Sequence, residues 1–96
     1  MSKKQPLAFE SALGNLVREL GISRRLREYD VITLWGKIVG EQIAKVAKPQ
    51  RIENGVLLVE VTSAPWRAEL SMRRQEIVEK INSAVRQRVV KDIRFR

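Results

Sequence analysis

The sequence predicts a two-layer α+β fold, with helices packed on a small three-stranded sheet in the order α-α-α-β-β-α-β. Apolar residues at helical spacing precede Pro49 and return after Pro65. Between those blocks Asn54-Gly55 separates two strand-like runs, and the chain closes on a segment that alternates polar and apolar residues. Helices gathered in two blocks around a short sheet favour a layered α+β arrangement. A doubly wound fold needs strands and helices to alternate instead.

Residues 1–6 are polar, with Lys3, Lys4 and Pro6, and are read as a flexible N-terminus ahead of a single domain spanning 7–96. Leu13, Leu16, Val17 and Leu20 then recur at helical spacing, on one face of a first helix that Gly21 is expected to stop. Ser23 is a candidate cap for a short second helical segment carrying Arg24, Arg25, Leu26 and Arg27. Asp30 is a candidate cap for a third and longer helix, which should end before Pro49 because the residue preceding a proline is disfavoured in the α region. Val31, Leu34, Trp35, Ile38, Val39 and Ile43 supply its buried face. Gly36 and Gly40 are read as a seam of close packing, since each costs about 1 kcal/mol relative to Ala inside a helix.

Arg51-Ile52-Glu53, the Asn54-Gly55 pair and the run from Val56 to Thr62 predict a β-hairpin, because Asn-Gly tolerates the positive φ angles of a type I′ turn. Leu57, Val59 and Val61 share one face of the second strand, and Val56, Leu58, Glu60 and Thr62 share the other. So apolar a strand belongs in the middle of the sheet. Ser63 with Pro65 marks the start of another helix, whose buried stripe is read as Trp66, Leu70, Ile77, Ile81 and Ala84. Lys91-Asp92-Ile93-Arg94-Phe95-Arg96 is a last strand with Ile93 and Phe95 inward and Arg94 and Arg96 outward.

At 96 residues the chain can bury one modest core but not a deep interdomain cleft. A net charge of +8 on so small a surface points to a polyanionic partner, nucleic acid ahead of an anionic membrane. No apolar run approaches the ~18 residues of a membrane span, no signal-peptide core follows the N-terminus, and the apolar helix faces are expected to be committed to a core. The expectation is a soluble cytoplasmic protein that does not bind membranes.

The chain has neither His nor Cys, which excludes disulfides, thiolate metal sites and thiol catalysis. Its glutamates lie scattered among basic neighbours at helical spacing, so that Glu69 with Arg73 and Glu76 with Lys80 read as i,i+4 ion pairs rather than acid/base machinery. No catalytic residue, metal site, cofactor or small-molecule substrate is expected. The positive evidence is basic: Arg24, Arg25 and Arg27 before the third helix, Arg67, Arg73, Arg74 and Lys80 on the fourth, and Arg94 and Arg96 at the end. Together they are candidate nucleic-acid contacts, because the planar guanidinium fork binds phosphate oxygens in pairs. With few exposed aromatics to stack on bases, binding should be salt-sensitive and tolerant of sequence. Trp66 carries two readings, a core anchor at the helix start and a partner-binding contact.

Several stretches, taken in order, resemble the DciA family. They are Leu34-Trp35-Gly36-Lys37-Ile38-Val39-Gly40-Glu41-Gln42-Ile43-Ala44, Pro49, Asn54-Gly55-Val56-Leu57-Leu58-Val59-Glu60-Val61, Ser63-Ala64-Pro65-Trp66-Arg67-Ala68-Glu69-Leu70 and Ile93-Arg94-Phe95-Arg96. The resemblance covers about residues 10–96. It implies a KH-like α+β domain in bacteria that binds DNA, single- or double-stranded, and assists loading or operation of the replicative helicase. Larger members carry a basic or disordered extension that this chain is expected to lack. No Gly-x-x-Gly loop is present, so the KH mode of clamping a nucleic-acid backbone does not transfer. Two other readings remain at this point: a KH-like RNA-binding module on ribosomes or mRNA, and a domain that only binds proteins.

Overall fold

Trp35 shows how the domain is held together. Only 3% of it is exposed, and its indole Nε1 donates to the backbone carbonyl of Ala47 at 2.9 Å, tying the helical layer to the first residue of the sheet. The computed structural model describes residues 4–96, with side chains from Ser11 onward. Of the expected flexible N-terminus over residues 1–6, residues 1–3 lie outside the described residues and residues 4–6 open the first helix.

The elements are α1 (Lys4–Thr33), α2 (Trp35–Val39), α3 (Glu41–Val46), β1 (Ala47–Glu53), β2 (Val56–Val61), α4 (Ala64–Met72), α5 (Arg74–Val85) and β3 (Asp92–Phe95). Three helices, a hairpin, a helical stretch broken at Arg73 and a final strand reproduce the expected order on a three-stranded mixed sheet. Several boundaries differ. Gly21 does not stop the first helix, and α1 passes through it, through Ser23 and through Asp30. One glycine costs about 1 kcal/mol, which neighbours rich in Leu, Arg and Glu offset, and no proline stands between Pro6, at the start of α1, and Pro49. Asp30 is therefore no cap; its carboxylate pairs with Arg27 at 3.3 Å.

The expected third helix is divided by Gly40, whose φ of 96° and ψ of 158° suit only glycine comfortably. The glycine seam is not found. A Cβ added at Gly36 would meet only the Ala44 Cβ at 3.8 Å, and one at Gly40 would meet nothing within 4 Å. Gly40 is there for its backbone conformation rather than for close packing.

Asn54 and Gly55 both have positive φ, 51° and 80°, as the predicted turn requires. β1 begins at Ala47, ahead of the expected Arg51, and runs through Pro49. Proline is tolerated there because β1 is an edge strand and its register shifts between Pro49 and Arg51. β2 is central, antiparallel to β1 and parallel to β3. Ser63 caps α4 by accepting from the Trp66 backbone N–H at 3.4 Å, with Pro65 in the first turn.

Leu57, Val59, Val61 and Ile93 on the inner sheet face meet Leu70, Ile77, Val78, Ile81 and Val85 from the helices, all buried. In α5 the buried residue is Val85, and the expected Ala84 is exposed. Residues 86–91 lead from α5 to β3 and are held by Asn82, a buried polar side chain. Its Oδ1 accepts from the Val89 and Val90 backbone N–H groups at 3.1 and 3.0 Å, and its Nδ2 donates to the Val90 carbonyl at 2.8 Å. That clamp sets where β3 starts and so where its arginines lie.

The stripe on α1 departs most from expectation. Leu13, Leu16, Val17 and Leu20 are exposed rather than committed to the core; only the C-terminal end of α1, at Val31 and Ile32, joins it. No helix among the described residues is long and apolar enough to cross a membrane.

Candidate nucleic-acid interface

Strand pairing gathers four cationic residues, with Glu53, Glu60 and Asp92 among them, from positions far apart in sequence. Paired positions in adjacent strands project to the same side of a sheet. With Leu57, Val59 and Val61 turned towards the helices, the alternate residues of all three strands occupy the open face. In one row Arg51 and Arg94 are the register partners of Leu58, one on each side, and Leu58 is left 6% exposed between them. In the next row Lys48 is the partner of Glu60. Arg96, the residue after β3, completes this row, its carbonyl accepting from Val61 N–H at 2.7 Å and its N–H donating to the Val59 carbonyl at 2.9 Å. Gln50, Arg51, Glu60 and Arg96 enclose an open concavity of about 320 Å³. A second, of about 180 Å³, lies beside Glu53, Asn54, Val56, Leu58 and Arg94.

Arg51 pairs with Glu53. Lys48, Arg94 and Arg96 make no ion pair among the described residues, although Glu60 lies in the same row as Lys48 and Arg96. Lys48 and Arg51 were not among the candidates read from the sequence. The hairpin register about Asn54-Gly55 carries the signal for both, but Lys48 is masked by reading Pro49 as a boundary.

The remaining candidates are distributed over other surfaces. Arg73 and Lys80 face a small cavity of about 70 Å³ on the helical side, with Val39, Ile43, Glu76 and Ile77. Arg73 also pairs with Glu69 at 3.7 Å as its spacing predicts, whereas Glu76 and Lys80 make no such pair among the described residues. Arg74 bridges to Asp92 at 3.3 Å, linking the start of α5 to the start of β3. Arg67 is half-buried and donates to the Val61 carbonyl at 3.0 Å, bracing the β2-to-α4 corner, while its Nε is buried without a partner. Along α1, Arg24 and Arg27 pair with Glu28 and Asp30 at 3.7 and 3.3 Å, and Arg25 is exposed. No one face holds all nine residues. The structure brings Arg94 and Arg96 together and joins Lys48 and Arg51 to them.

Trp66 is half-buried. It packs against the core cluster and, with Pro65 and Glu69, lines a shallow concavity of about 220 Å³. A rigid aromatic surface that reaches both the core and solvent can serve as anchor and as contact.

The family described as "Dna[CI] antecedent, DciA" matches residues 8–95. A UPF0232 protein of Rhodococcus jostii is 33% identical over 92 residues, covering 96% of this chain and 49% of the relative. One from Mycobacterium tuberculosis is 32% identical over the same length and coverage. One from Mycobacterium marinum is 35% identical over 87 residues, covering 86% of this chain and 46% of the relative. The chain thus spans about half the length of the curated relatives it matches.

Proposed function

The chain belongs to the DciA family, and from that premise and the cationic sheet face we propose that it is a non-enzymatic, nucleic-acid-binding adaptor of bacterial replication, working with the replicative helicase in the cytoplasm. The observation that carries the DNA part is the clustering of Lys48, Arg51, Arg94 and Arg96 on one open sheet face, with Lys48, Arg94 and Arg96 free of intramolecular ion pairs among the described residues. Arginine and lysine on an open sheet face without aromatic stacking groups contact phosphates and do not read bases. Family membership supports the helicase part, and the Trp66 corner, where a partly exposed indole sits against the core, is the surface proposed to receive that partner.

Fluorescence anisotropy with labelled single-stranded and duplex DNA over a range of salt concentrations tests the reading. About four phosphate contacts give a slope of log K against log salt near −3 to −4. Arg94→Ala with Arg96→Ala should weaken binding to every sequence and reduce the slope by about 1.5. Arg73→Ala with Lys80→Ala, on the opposite layer, should change it less. Binding that ignores salt, or that is untouched by loss of Arg94 and Arg96, overturns the assignment. RNA bound far more tightly than DNA of the same sequence would favour the ribosome- or mRNA-associated reading.

A further inference from the structure

We infer that a second copy of this chain covers the exposed stripe of α1, so that two copies pair through antiparallel α1 helices. The element is unusual for so small a protein. A 30-residue helix is about 45 Å long by its rise per residue, and the molecule extends 67 × 20 × 19 Å. Contact with the rest of the domain is confined to the C-terminal part of α1, at Val31, Ile32 and the Ser23 hydroxyl, which reaches the Gln87 side chain at 3.4 Å. Ahead of that part Leu13, Leu16, Val17 and Leu20 are 46%, 51%, 67% and 62% exposed. Their spacing places all four on the side of the helix that carries buried Val31. The face that enters the core at one end therefore continues outwards with none of the described residues covering it.

A second copy fits this stripe for reasons of symmetry and charge. The pattern 13, 16, 17, 20 is unchanged when reversed about the point between Leu16 and Val17. A two-fold axis there sets Leu13 of each helix opposite Leu20 of the other, the self-complementarity that an isologous interface requires. The stripe gives way to Arg24 and Arg27 at its C-terminal end. A parallel pair would place these arginines against their own copies, whereas an antiparallel pair sends the two basic ends, and the two basic domains, in opposite directions. Ile22, Leu26 and Tyr29, also exposed, lie towards the other side of the helix and take no part. The stripe from Leu13 to Leu20 runs over about two turns, so the paired area falls below that of standard specific interfaces and the dimer should be weak and concentration-dependent.

Sedimentation equilibrium on the full chain, from low micromolar to several hundred micromolar, should show the average mass rising from 11.1 kDa towards twice that value. Leu16→Glu with Leu20→Glu should hold the mass at that of one chain and leave the far-UV melt of the domain cooperative, since neither residue joins the core. The absence of native cysteine allows a second reading. Val17→Cys, near the axis, should oxidise to a disulfide-linked dimer at least tenfold faster than Asn15→Cys, at the same level on the opposite side of the helix. A constant monomer mass in the parent chain, a dimer that survives the paired glutamates, or equal oxidation of the two cysteine variants overturns the inference.

Discussion

Replacing Asn82 with alanine should be among the most damaging single changes outside the apolar core, and the structure allows its size to be worked out. The side chain is 8% exposed and makes three hydrogen bonds, to the Val89 N–H, the Val90 N–H and the Val90 carbonyl. Val89 and Val90 are themselves 1% and 0% exposed, so water does not readily take over the freed groups. An intramolecular hydrogen bond contributes about 1 kcal/mol net, and a buried group left unpaired costs about 1–3 kcal/mol. The Val89 N–H also reaches the Gln87 carbonyl at 3.0 Å, so the Val90 N–H and carbonyl are the two groups left unpaired. This places Asn82→Ala at about 2–5 kcal/mol, which at about 5 °C per kcal/mol for this chain lowers Tm by about 10–25 °C. Thermal and urea melts give the total, and amide exchange locates it. The Val89 and Val90 amides should lose protection first, before the β1–β2 hairpin. DNA affinity should fall as well, because the clamp sets the start of the strand that carries Arg94 and Arg96. A variant within about 1 kcal/mol of the parent, or one in which those two amides stay as protected as before, would refute the reasoning.

Two further outcomes follow from the geometry. Gly40→Ala should cost about 1–3 kcal/mol by forcing a side chain into positive φ, whereas Gly36→Ala should be neutral or up to about 1 kcal/mol stabilising, because the new methyl meets only Ala44 at ordinary contact distance; urea melts of both decide between a packing seam and a conformational requirement. Trp66→Ala should lose about 1–2 kcal/mol of partial burial, keep a cooperative melt and DNA binding, and abolish capture of the replicative helicase; normal capture by a stable variant would remove the residue from the proposed contact.

Much of the fold was legible because its signals are local. The Asn54-Gly55 turn, the Ser63 cap with Pro65, the alternation around Ile93 and the apolar run of β2 depend on φ/ψ preferences and side-chain periodicity within a few residues, and each forms as read. Trp35 was legible as core for the same reason, although its hydrogen bond to Ala47 was not. Periodicity, however, identifies a face without identifying what covers it. The stripe from Leu13 to Leu20 reads like any core-facing helix, and only the placement of α1 shows it exposed. Gly21 and Gly40 are the same residue type in apolar surroundings. Whether each ends a helix depends on the path the chain must take next: straight on at Gly21, and around a corner at Gly40. The site required the most from tertiary structure. Basic residues can be counted in the sequence, but the partners that turn Arg67 to the Val61 carbonyl and Arg74 to Asp92 are set by packing. The meeting of Lys48, Arg51, Arg94 and Arg96 needs both the hairpin register and the parallel return of β3 beside β2. Composition determined that this protein is a polycation without His or Cys chemistry; strand pairing decided which of its cations meet, because only pairing brings residues some forty positions apart onto one surface.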